Sequence, residues 1–215
     1  MSPIESSSDP RWPAALEGLL AVATGAVVVW DFDGVIADTE PVHAESYRVL
    51  LERRGLVPGD GFFEPMVGHP EPEIWTMLAQ AGLATDDSLS ELISERRRVV
   101  LELSRQRLRP SWVATETIPA LASVARDQRV VSAGDPATIT ELLALWELDR
   151  WLAFEPGAGS KRERLEALWA TGPSVTVEDS PTYLCLAKAA GSYCVAVRHA
   201  LVMSQFPEAD IELGI

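Results

Sequence analysis

Two aspartates, Asp31 and Asp33, directly follow a run of apolar β-forming residues at 26–30. The run is typical of a buried strand, so the two carboxyl groups are expected where that strand ends. Burying an unpaired ionised group is costly, and a metal ion or a catalytic task is the usual compensation. The pattern therefore predicts a functional pair of carboxylates at the end of a core strand.

The composition narrows the classes of partner. The chain has 215 residues, of which 47% are hydrophobic, and a formal net charge of -14. That length and apolar content allow one large domain or a core with one insertion. The negative field argues against a nucleic-acid backbone or an anionic membrane as partner, so an anionic substrate would need a local positive pocket. Cys185 and Cys194 form a poor basis for a disulfide framework, which favours a reduced, cytoplasmic protein.

Short apolar segments alternate with helical patterns in the second half of the chain. Strands are predicted at 26–31, 129–133, 174–178 and 193–197, with a weaker candidate at 152–155. Helical patterns at 118–126, 136–146, 161–170 and 182–190 alternate with the later strands, which predicts an α/β fold with a doubly wound parallel sheet. Ligands of such sheets bind beyond the carboxyl ends of the strands.

A long segment between the first two strands contains no convincing strand. Its helical patterns at 41–54, 72–81 and 89–107 are separated by Pro and Gly. We therefore predict an inserted helical unit at 39–115 and an α/β core formed by 14–38 and 116–215. The polar, Pro-containing residues 1–13 are expected to be disordered or weakly ordered.

The second strand runs into Ser132, Ala133 and Gly134, followed by Asp135 and Pro136. A hydroxyl and small-residue backbone amides at a helix N-terminus can cradle phosphate oxygens. Asp135 before a proline is also an ordinary N-cap signature, so a simple capping turn is the alternative interpretation.

Lys161 stands out because the chain uses sixteen arginines and only two lysines. It lies at the start of a predicted helix, where the helix dipole disfavours a cation, so a nearby anion is expected. A compact ammonium group is suited to neutralising a phosphoryl group. A solvated surface lysine is the alternative.

The strand at 174–178 runs into Glu178 and Asp179, ahead of Pro181. Paired carboxylates supply the hard oxygen ligands that Mg²⁺ prefers. They would repel Asp31 on a neighbouring strand, and a divalent cation would resolve that conflict. Their alternative role is to cap the helix that Pro181 opens.

These strand ends carry a family resemblance. The segment VVVWDFDGVIADTE, then Ser132, Lys161 and the Glu178-Asp179 pair occur in the order and at about the spacing of the four motifs of the haloacid dehalogenase superfamily. DGVIADTEPVH and VEDSPTYLCLAKAAG are most similar to the β-phosphoglucomutase-like phosphatase subfamily. The resemblance implies a Rossmann-like core with a helical cap inserted after the first motif.

The resemblance also implies a role for each motif residue. Asp31 would be the nucleophile and Asp33 the general acid and base, while Ser132 and Lys161 would hold the phosphoryl group. The implied cofactor is Mg²⁺, with a ligand set that consists of Asp31, the Asp33 carbonyl, Glu178 and Asp179. The implied substrate contacts are His43, Ala133, Gly134 and His69.

Some residues depart from the subfamily pattern. Arg162, Glu163 and Arg164 follow Lys161 in place of the KPxP continuation, and Tyr183 replaces an acid that many relatives carry. The cap has no lysine, which argues against a phosphonatase and weakens a mutase interpretation. The later part of the cap carries six arginines, and helical spacing cannot place them all on one side, so some would face the substrate and most are expected to be solvated. They are Arg96, Arg97, Arg98, Arg105, Arg107 and Arg109.

The sequence thus predicts an Mg²⁺-dependent phosphatase that hydrolyses a small phosphorylated metabolite through an aspartyl-phosphate. Two alternatives remain, a phosphomutase of the β-phosphoglucomutase type and a non-catalytic binding or regulatory module with the same fold. The chain is expected to be a monomer or a homodimer.

Overall fold

The computed structural model describes residues 3–67, 69–154, 156–199 and 205–215. The chain divides into two compact units. The first unit comprises Met1–Asp38 and Arg109–Ile215, and the second comprises Thr39–Leu108.

The first unit contains a sheet with helices between its strands, and the second is helical. In chain order the elements are α1 Trp12–Ala23, β1 Val27–Trp30, α2 Glu40–Glu52, α3 Glu71–Gln80, α4 Leu89–Arg107, α5 Trp112–Leu121, β2 Asp127–Val130, α6 Pro136–Leu145, α7 Lys161–Trp169, β3 Ser174–Glu178, α8 Pro181–Ala189, β4 Tyr193–Arg198 and β5 Ile211–Gly214. Short 3₁₀ turns lie at Glu64–Met66 and Leu148–Arg150.

The sheet has the order β2-β1-β3-β4-β5, and every pair of neighbouring strands is parallel. Trp30, the last residue of β1, pairs with Val130 on one side and Val177 on the other. The carboxyl ends of β2, β1 and β3 therefore lie level, and the loops that follow them meet at one edge of the sheet. The predicted α/β fold is confirmed.

The four main predicted strands are present, and the structure contains a fifth strand, β5, that was not predicted. β5 is four residues long, and its first two residues are only partly buried, so it lacks the apolar run that marks the central strands. The weaker candidate at 152–155 forms only an isolated bridge between Ala153 and Arg129, and residue 155 lies outside the described residues.

A polar pair crosses the core between β1 and β2. The Trp30 indole Nε1 donates to the Gln128 side-chain oxygen at 3.1 Å, and the Gln128 amide nitrogen donates to the Ile118 carbonyl at 2.9 Å. Trp30 and Gln128 are both buried, so each polar group has the partner that burial demands.

The N-terminal segment is more ordered in the structure than its composition predicts. Ile4 is buried and bridges Leu213 of β5 in parallel register. Trp12 packs edge-on against Trp112 with ring centroids 5.1 Å apart. Apolar side chains at 4 and 12 thus anchor a segment that its serines and prolines mark as flexible.

The helix predicted at 118–126 instead begins at Trp112 and ends at Leu121. The Ser111 hydroxyl accepts from the Ala114 amide and caps this helix. Ser111 also donates its amide to the Ile36 carbonyl at 2.7 Å. The chain therefore rejoins the first unit at 109, ahead of the boundary predicted after residue 115.

The second unit is held by contacts among its own helices. Ser88 and Glu91 form a reciprocal capping box at the start of α4. Arg54, just after α2, pairs with Glu95 of α4 at 2.7 Å. Among the described residues, no helix combines the length and apolar character that crossing a membrane would require.

Candidate active site

Asp31 lies buried at the carboxyl end of β1. Its amide donates to the Val177 carbonyl at 2.9 Å, which continues the pairing of β1 with β3 beyond the strand. One of its carboxylate oxygens, Oδ1, accepts from the Phe32 amide at 2.8 Å. The sheet and the following turn thus fix both the backbone and the side chain of this acid.

Lys161 supplies a buried cation at the same edge of the sheet. Its Nζ lies 2.7 Å from Asp31 Oδ2 and 2.8 Å from Glu178 Oε2. Burial opposes the charge of the ammonium group, but the two carboxylates raise the pKa of Lys161 above its usual value. The anions expected beside a lysine at a helix N-terminus are Asp31 and Glu178, and the interpretation as a solvated surface lysine is wrong.

Three carboxylates converge around this ammonium group. Asp31, Glu178 and Asp179 offer oxygens that all lie within 4.8 Å of one another. Burial raises the pKa of Asp31 well above its usual value, and the nearby Glu178 charge raises it further. Burial also raises the pKa of Glu178.

Such a cluster fits a hard divalent cation, because clustered carboxylates at this spacing are the oxygen donors that Mg²⁺ uses. One ammonium group leaves three converging acids undercompensated. A second cation would favour the ionised form of each acid, against the burial that raises the pKa of Asp31 and Glu178.

Asp33 meets the loop that follows β2. The Ser132 hydroxyl donates to Asp33 Oδ2 at 3.1 Å and accepts from the Gly134 amide at 2.9 Å. A Cβ built on Gly134 would lie 3.0 Å from Asp33 Oδ2 and 3.2 Å from the Ser132 hydroxyl, so this loop approaches closely because it carries glycine there. Ser132 therefore holds one oxygen of Asp33.

The turn after β1 passes close to the acids that follow β3. Gly34 has φ +71°, and a Cβ there would overlap Asp179 Oδ2 and lie 2.9 Å from His199 Nε2. His199 Nε2 itself lies 3.0 Å from Asp179 Oδ2. Glycine at 34 thus serves the backbone conformation and leaves space for two side chains.

Three residues at this edge were not assigned to the site from the sequence. The Tyr183 ring lies under the Lys161 ammonium, with 4.4 Å from Nζ to the ring centroid. Arg164 donates to the Ser132 carbonyl at 2.7 Å and so joins α7 to the loop after β2. His199 directly follows β4, so the strand-end rule that identified the acids after β1 and β3 would have identified this histidine as well.

The residues predicted from the second unit have their own surroundings within that unit. His43 Nδ1 lies 3.0 Å from Arg96 Nη2, and His69 is exposed with Nδ1 3.1 Å from a Glu73 carboxylate oxygen. Arg96 departs from the expected solvated arginines because it is buried and lies over the Tyr47 ring at 4.2 Å. Arg97 and Arg98 are exposed, as expected.

The first unit alone brings together Asp31, Lys161, Glu178 and Asp179, and next to them Asp33, Ser132 and Gly134. Ala133 lies exposed in the same loop. The roles predicted for these residues, and the substrate contacts of His43 and His69, stay predictions.

A curated relative shares part of the sequence. The chain is 35% identical over 83 residues to a "Phosphorylated carbohydrates phosphatase" of Thermotoga maritima, a match that covers 37% of this chain and 38% of that protein. The chain thus spans about two fifths of the length of the curated relative it matches. No family model matches the sequence.

Solved structures resemble nearly the whole chain. A Thermotoga maritima protein provisionally named β-phosphoglucomutase superposes with a TM-score of 0.72 at 21% identity, over 88% of this chain and 94% of that one. CbbY from Rhodobacter sphaeroides, solved with phosphate, gives 0.69 at 15% identity over 87% and 92%. The chain therefore shares its fold with these proteins, as the resemblance seen in the motifs implied.

Proposed function

We propose that the chain is an Mg²⁺-dependent phosphatase that hydrolyses a small phosphate monoester through an aspartyl-phosphate on Asp31. The observation that carries the proposal is the geometry around Asp31. Its carboxylate is buried, lies 2.7 Å from the Lys161 ammonium and is clustered with Glu178 and Asp179. A surface carboxylate needs no such surroundings, whereas a nucleophile that must meet an anionic phosphoryl group does.

In the first step an Asp31 oxygen attacks the phosphorus, and the bond from phosphorus to the ester oxygen breaks. Covalent catalysis of this kind divides one slow displacement into two easier ones. Lys161 offsets negative charge beside the nucleophile, and protonated Asp33 gives its proton to the leaving oxygen. The hydrogen bond from Ser132 orients the Asp33 carboxyl for that transfer.

In the second step water attacks the aspartyl-phosphate. Asp33, now ionised, takes a proton from that water, and the bond from Asp31 to phosphorus breaks to release inorganic phosphate. The same residue acts first as acid and then as base, so each turnover restores its starting protonation.

Asp31, Glu178, Asp179 and the Asp33 carbonyl would hold the Mg²⁺. When bound, the cation supplies positive charge that offsets the carboxylates and the phosphoryl oxygens. The pKa of Asp31, raised by burial and by Glu178, makes that charge useful because a nucleophile must be ionised.

Sugar phosphates are the substrate class that the relatives favour. The curated relative is named for phosphorylated carbohydrates. A variant of the Rhodobacter sphaeroides protein, which resembles this chain with a TM-score of 0.66, was solved in complex with xylulose-(1,5)bisphosphate. We therefore propose a phosphorylated carbohydrate or a similar polyol phosphate as substrate.

A screen for phosphate release tests the activity. The purified chain is incubated with sugar phosphates, phosphoglycolate, polyol phosphates and nucleotides, with Mg²⁺ or with EDTA. We expect release that needs Mg²⁺ and is lost in Asp31→Asn. Asp127→Asn is the matched control, because Asp127 pairs with Val27 at the opposite end of the same strands. Full activity in Asp31→Asn would refute the nucleophile assignment.

Asp33→Asn separates the two steps. Loss of an acid and base group typically costs about 10²- to 10⁴-fold in rate. Mixed with p-nitrophenyl phosphate, whose leaving group needs no proton from Asp33, this variant should still complete the first step, and we expect intact-mass analysis to detect a protein carrying one phosphoryl group. The adduct should be absent from the double variant with Asp31→Asn.

A phosphomutase is the second candidate, because one structural relative carries that provisional name. The two functions differ in their products. Phosphorus NMR of the reaction mixture would show inorganic phosphate for a phosphatase, and an isomeric sugar phosphate without net phosphate release for a mutase. If no compound in the screen releases phosphate, with or without Mg²⁺, the non-catalytic binding module is favoured instead.

A further inference from the structure

His199 lies against Asp179 at the carboxyl edge of the sheet. Asp179 directly follows β3 and His199 directly follows β4, and these strands are parallel neighbours with Glu178 opposite Ala196. The side chains meet at 3.0 Å between Nε2 and Oδ2. The imidazole is 2% exposed and the Asp179 side chain 19%, so the histidine lies on the protein side of the acid.

The direction of this hydrogen bond follows from the chemistry of the acid. An ionised carboxylate only accepts hydrogen bonds, so the imidazole Nε2 donates. A donor fixed in a buried ring restricts rotation of the carboxylate. Asp179 lies within the group of three acids, so the bond aims one member of that group relative to the other two.

Gly34 shows that this contact occupies a shaped space. A Cβ at position 34 would overlap Asp179 Oδ2 and lie 2.9 Å from His199 Nε2. The Gly34 amide is itself committed to the Ala37 carbonyl at 2.8 Å, which fixes the turn. Asp179 and His199 therefore pack together against the Gly34 backbone, whose turn is fixed by its own hydrogen bond.

His199 lies beside the three acids expected to bind the metal but is not one of the expected ligands. Among the described residues, the set whose ligand atoms lie within 4.8 Å of one another contains Asp31, Glu178 and Asp179, without His199. Its Nε2 is directed at a carboxylate oxygen. This is the arrangement of an outer partner that orients a metal ligand, and such partners typically affect affinity about 10- to 100-fold.

We infer that His199 is a positioning residue that holds Asp179 in the orientation required to bind the divalent cation. The inference rests on the proposed function, because it assumes the metal site of Asp31, Glu178 and Asp179. It adds a residue beyond the four motifs, at the end of β4.

Two amide substitutions of nearly equal size test it. In His199→Gln the amide nitrogen can take the place of Nε2, whereas in His199→Asn it takes the place of Nδ1 and falls short of Asp179. Binding of Mn²⁺, used as the probe, is measured by electron paramagnetic resonance without substrate. We expect His199→Asn to bind Mn²⁺ about 10- to 100-fold more weakly than wild type and His199→Gln to recover most of the affinity.

The outcomes separate this inference from the proposed function. Equal Mn²⁺ affinity in wild type and both variants overturns the role of His199 and leaves the metal site intact. Absence of Mn²⁺ binding in wild type overturns both. Equal weakening in both variants also contradicts the inference, because a merely structural histidine would give that result.

A measurement on the unaltered chain keeps the test valid if a variant fails to fold. The chain contains three histidines, so nitrogen NMR of histidine-labelled protein can resolve each ring. We expect the His199 Nε2 to carry a proton and its resonance to shift when Mg²⁺ is added. A ring without a proton on Nε2, or one that Mg²⁺ leaves unchanged, would overturn the inference.

Discussion

At the scale of single residues, Gly34 gives the sharpest test of how closely the site is packed. Gly34→Ala places a methyl group against Asp179 and His199, whereas Gly25, with the same φ of +71°, has nothing within 4 Å of its Cβ position. Both alanine variants should lose about 1 to 3 kcal/mol from the positive φ. Only Gly34→Ala should also weaken Mn²⁺ binding. Urea unfolding and metal titration check the pair, and equal metal affinity would contradict the close packing.

Tyr183 lies where the subfamily resemblance led us to expect an acid. Its ring lies 4.4 Å below the Lys161 ammonium, where an aromatic face attracts a cation. Tyr183→Leu should therefore lower the free energy of unfolding by about 0.5 to 2 kcal/mol, while Tyr183→Phe keeps the ring and most of the stability. Urea denaturation of both variants measures the difference. A phenylalanine variant as unstable as the leucine variant would point to the hydroxyl instead.

The residue types and their positions in the sequence allowed part of the site to be predicted but gave no indication of the rest. Asp31, Glu178 and Asp179 lie at the carboxyl ends of apolar strands, so the hydrophobic pattern and the cost of burying a charge both indicate these three acids. Lys161 is conspicuous because lysine is rare in this chain. Arg164 and Tyr183 reach the site from helices, and a side chain's direction from a helix depends on packing that no spacing rule supplies.

At the scale of elements, the seam between β1 and β2 depends on one buried amide. Gln128→Leu would leave the Trp30 indole N–H without its partner, while the Ile118 carbonyl keeps its hydrogen bond from the Ala122 amide at 3.1 Å. An unsatisfied buried polar group costs about 1 to 3 kcal/mol, so we expect a loss of that order by urea unfolding. Adding Trp30→Phe removes the stranded donor, and the double variant should recover part of the loss. Additive losses would contradict the coupling.

The cysteines of α8 and β4 should differ in reactivity. Cys185 is exposed, whereas burial raises the pKa of the Cys194 thiol to about 11. Since the thiolate is the reactive form, only Cys185 should react with a disulfide reagent near neutral pH. Thiol counting should give one group in the native chain and two after denaturation. Two fast groups in the native chain would show that β4 opens readily.

Element prediction succeeded where burial and periodicity agree. The wholly buried runs of β1 and β3 were placed within one residue of their observed ends. It was wrong at α5, which begins six residues earlier than its apolar pattern indicates, because the Ser111 cap initiates the helix and Pro119 lies inside it. The β5 strand was missed because pairing with β4 and with Ile4 defines it, and such pairing is not visible in a local sequence window.

At the scale of the whole molecule, Mg²⁺ should stabilise the chain in a pH-dependent way. The folded state raises the pKa of Asp31 and Glu178, so without metal their contribution is present below the unfolded pKa values and lost as pH rises through the raised ones. A cation binds the ionised acids and reverses that loss. Free Mg²⁺ at a hundred times its Kd should add about 2.7 kcal/mol.

Thermal unfolding with Mg²⁺ and with EDTA measures this effect. The difference in Tm should be larger near pH ~8 than near pH ~5, where protons compete with the cation for the carboxylates. Asp179→Asn should abolish most of the difference, and Asp127→Asn should retain it. A Tm difference that does not change with pH would place Mg²⁺ binding elsewhere on this strongly acidic chain.

The burial of Lys161 between two carboxylates also makes the chain a natural reporter for chemical labelling. Of its two lysines, Lys188 is exposed beside Asp210, while Lys161 is buried and held protonated. Amine-selective reagents need a neutral, accessible nitrogen, so they should modify the exposed Lys188 first and Lys161 only when the sheet edge opens. The rate of acylation at position 161 would then measure how often the folded chain exposes its proposed catalytic centre.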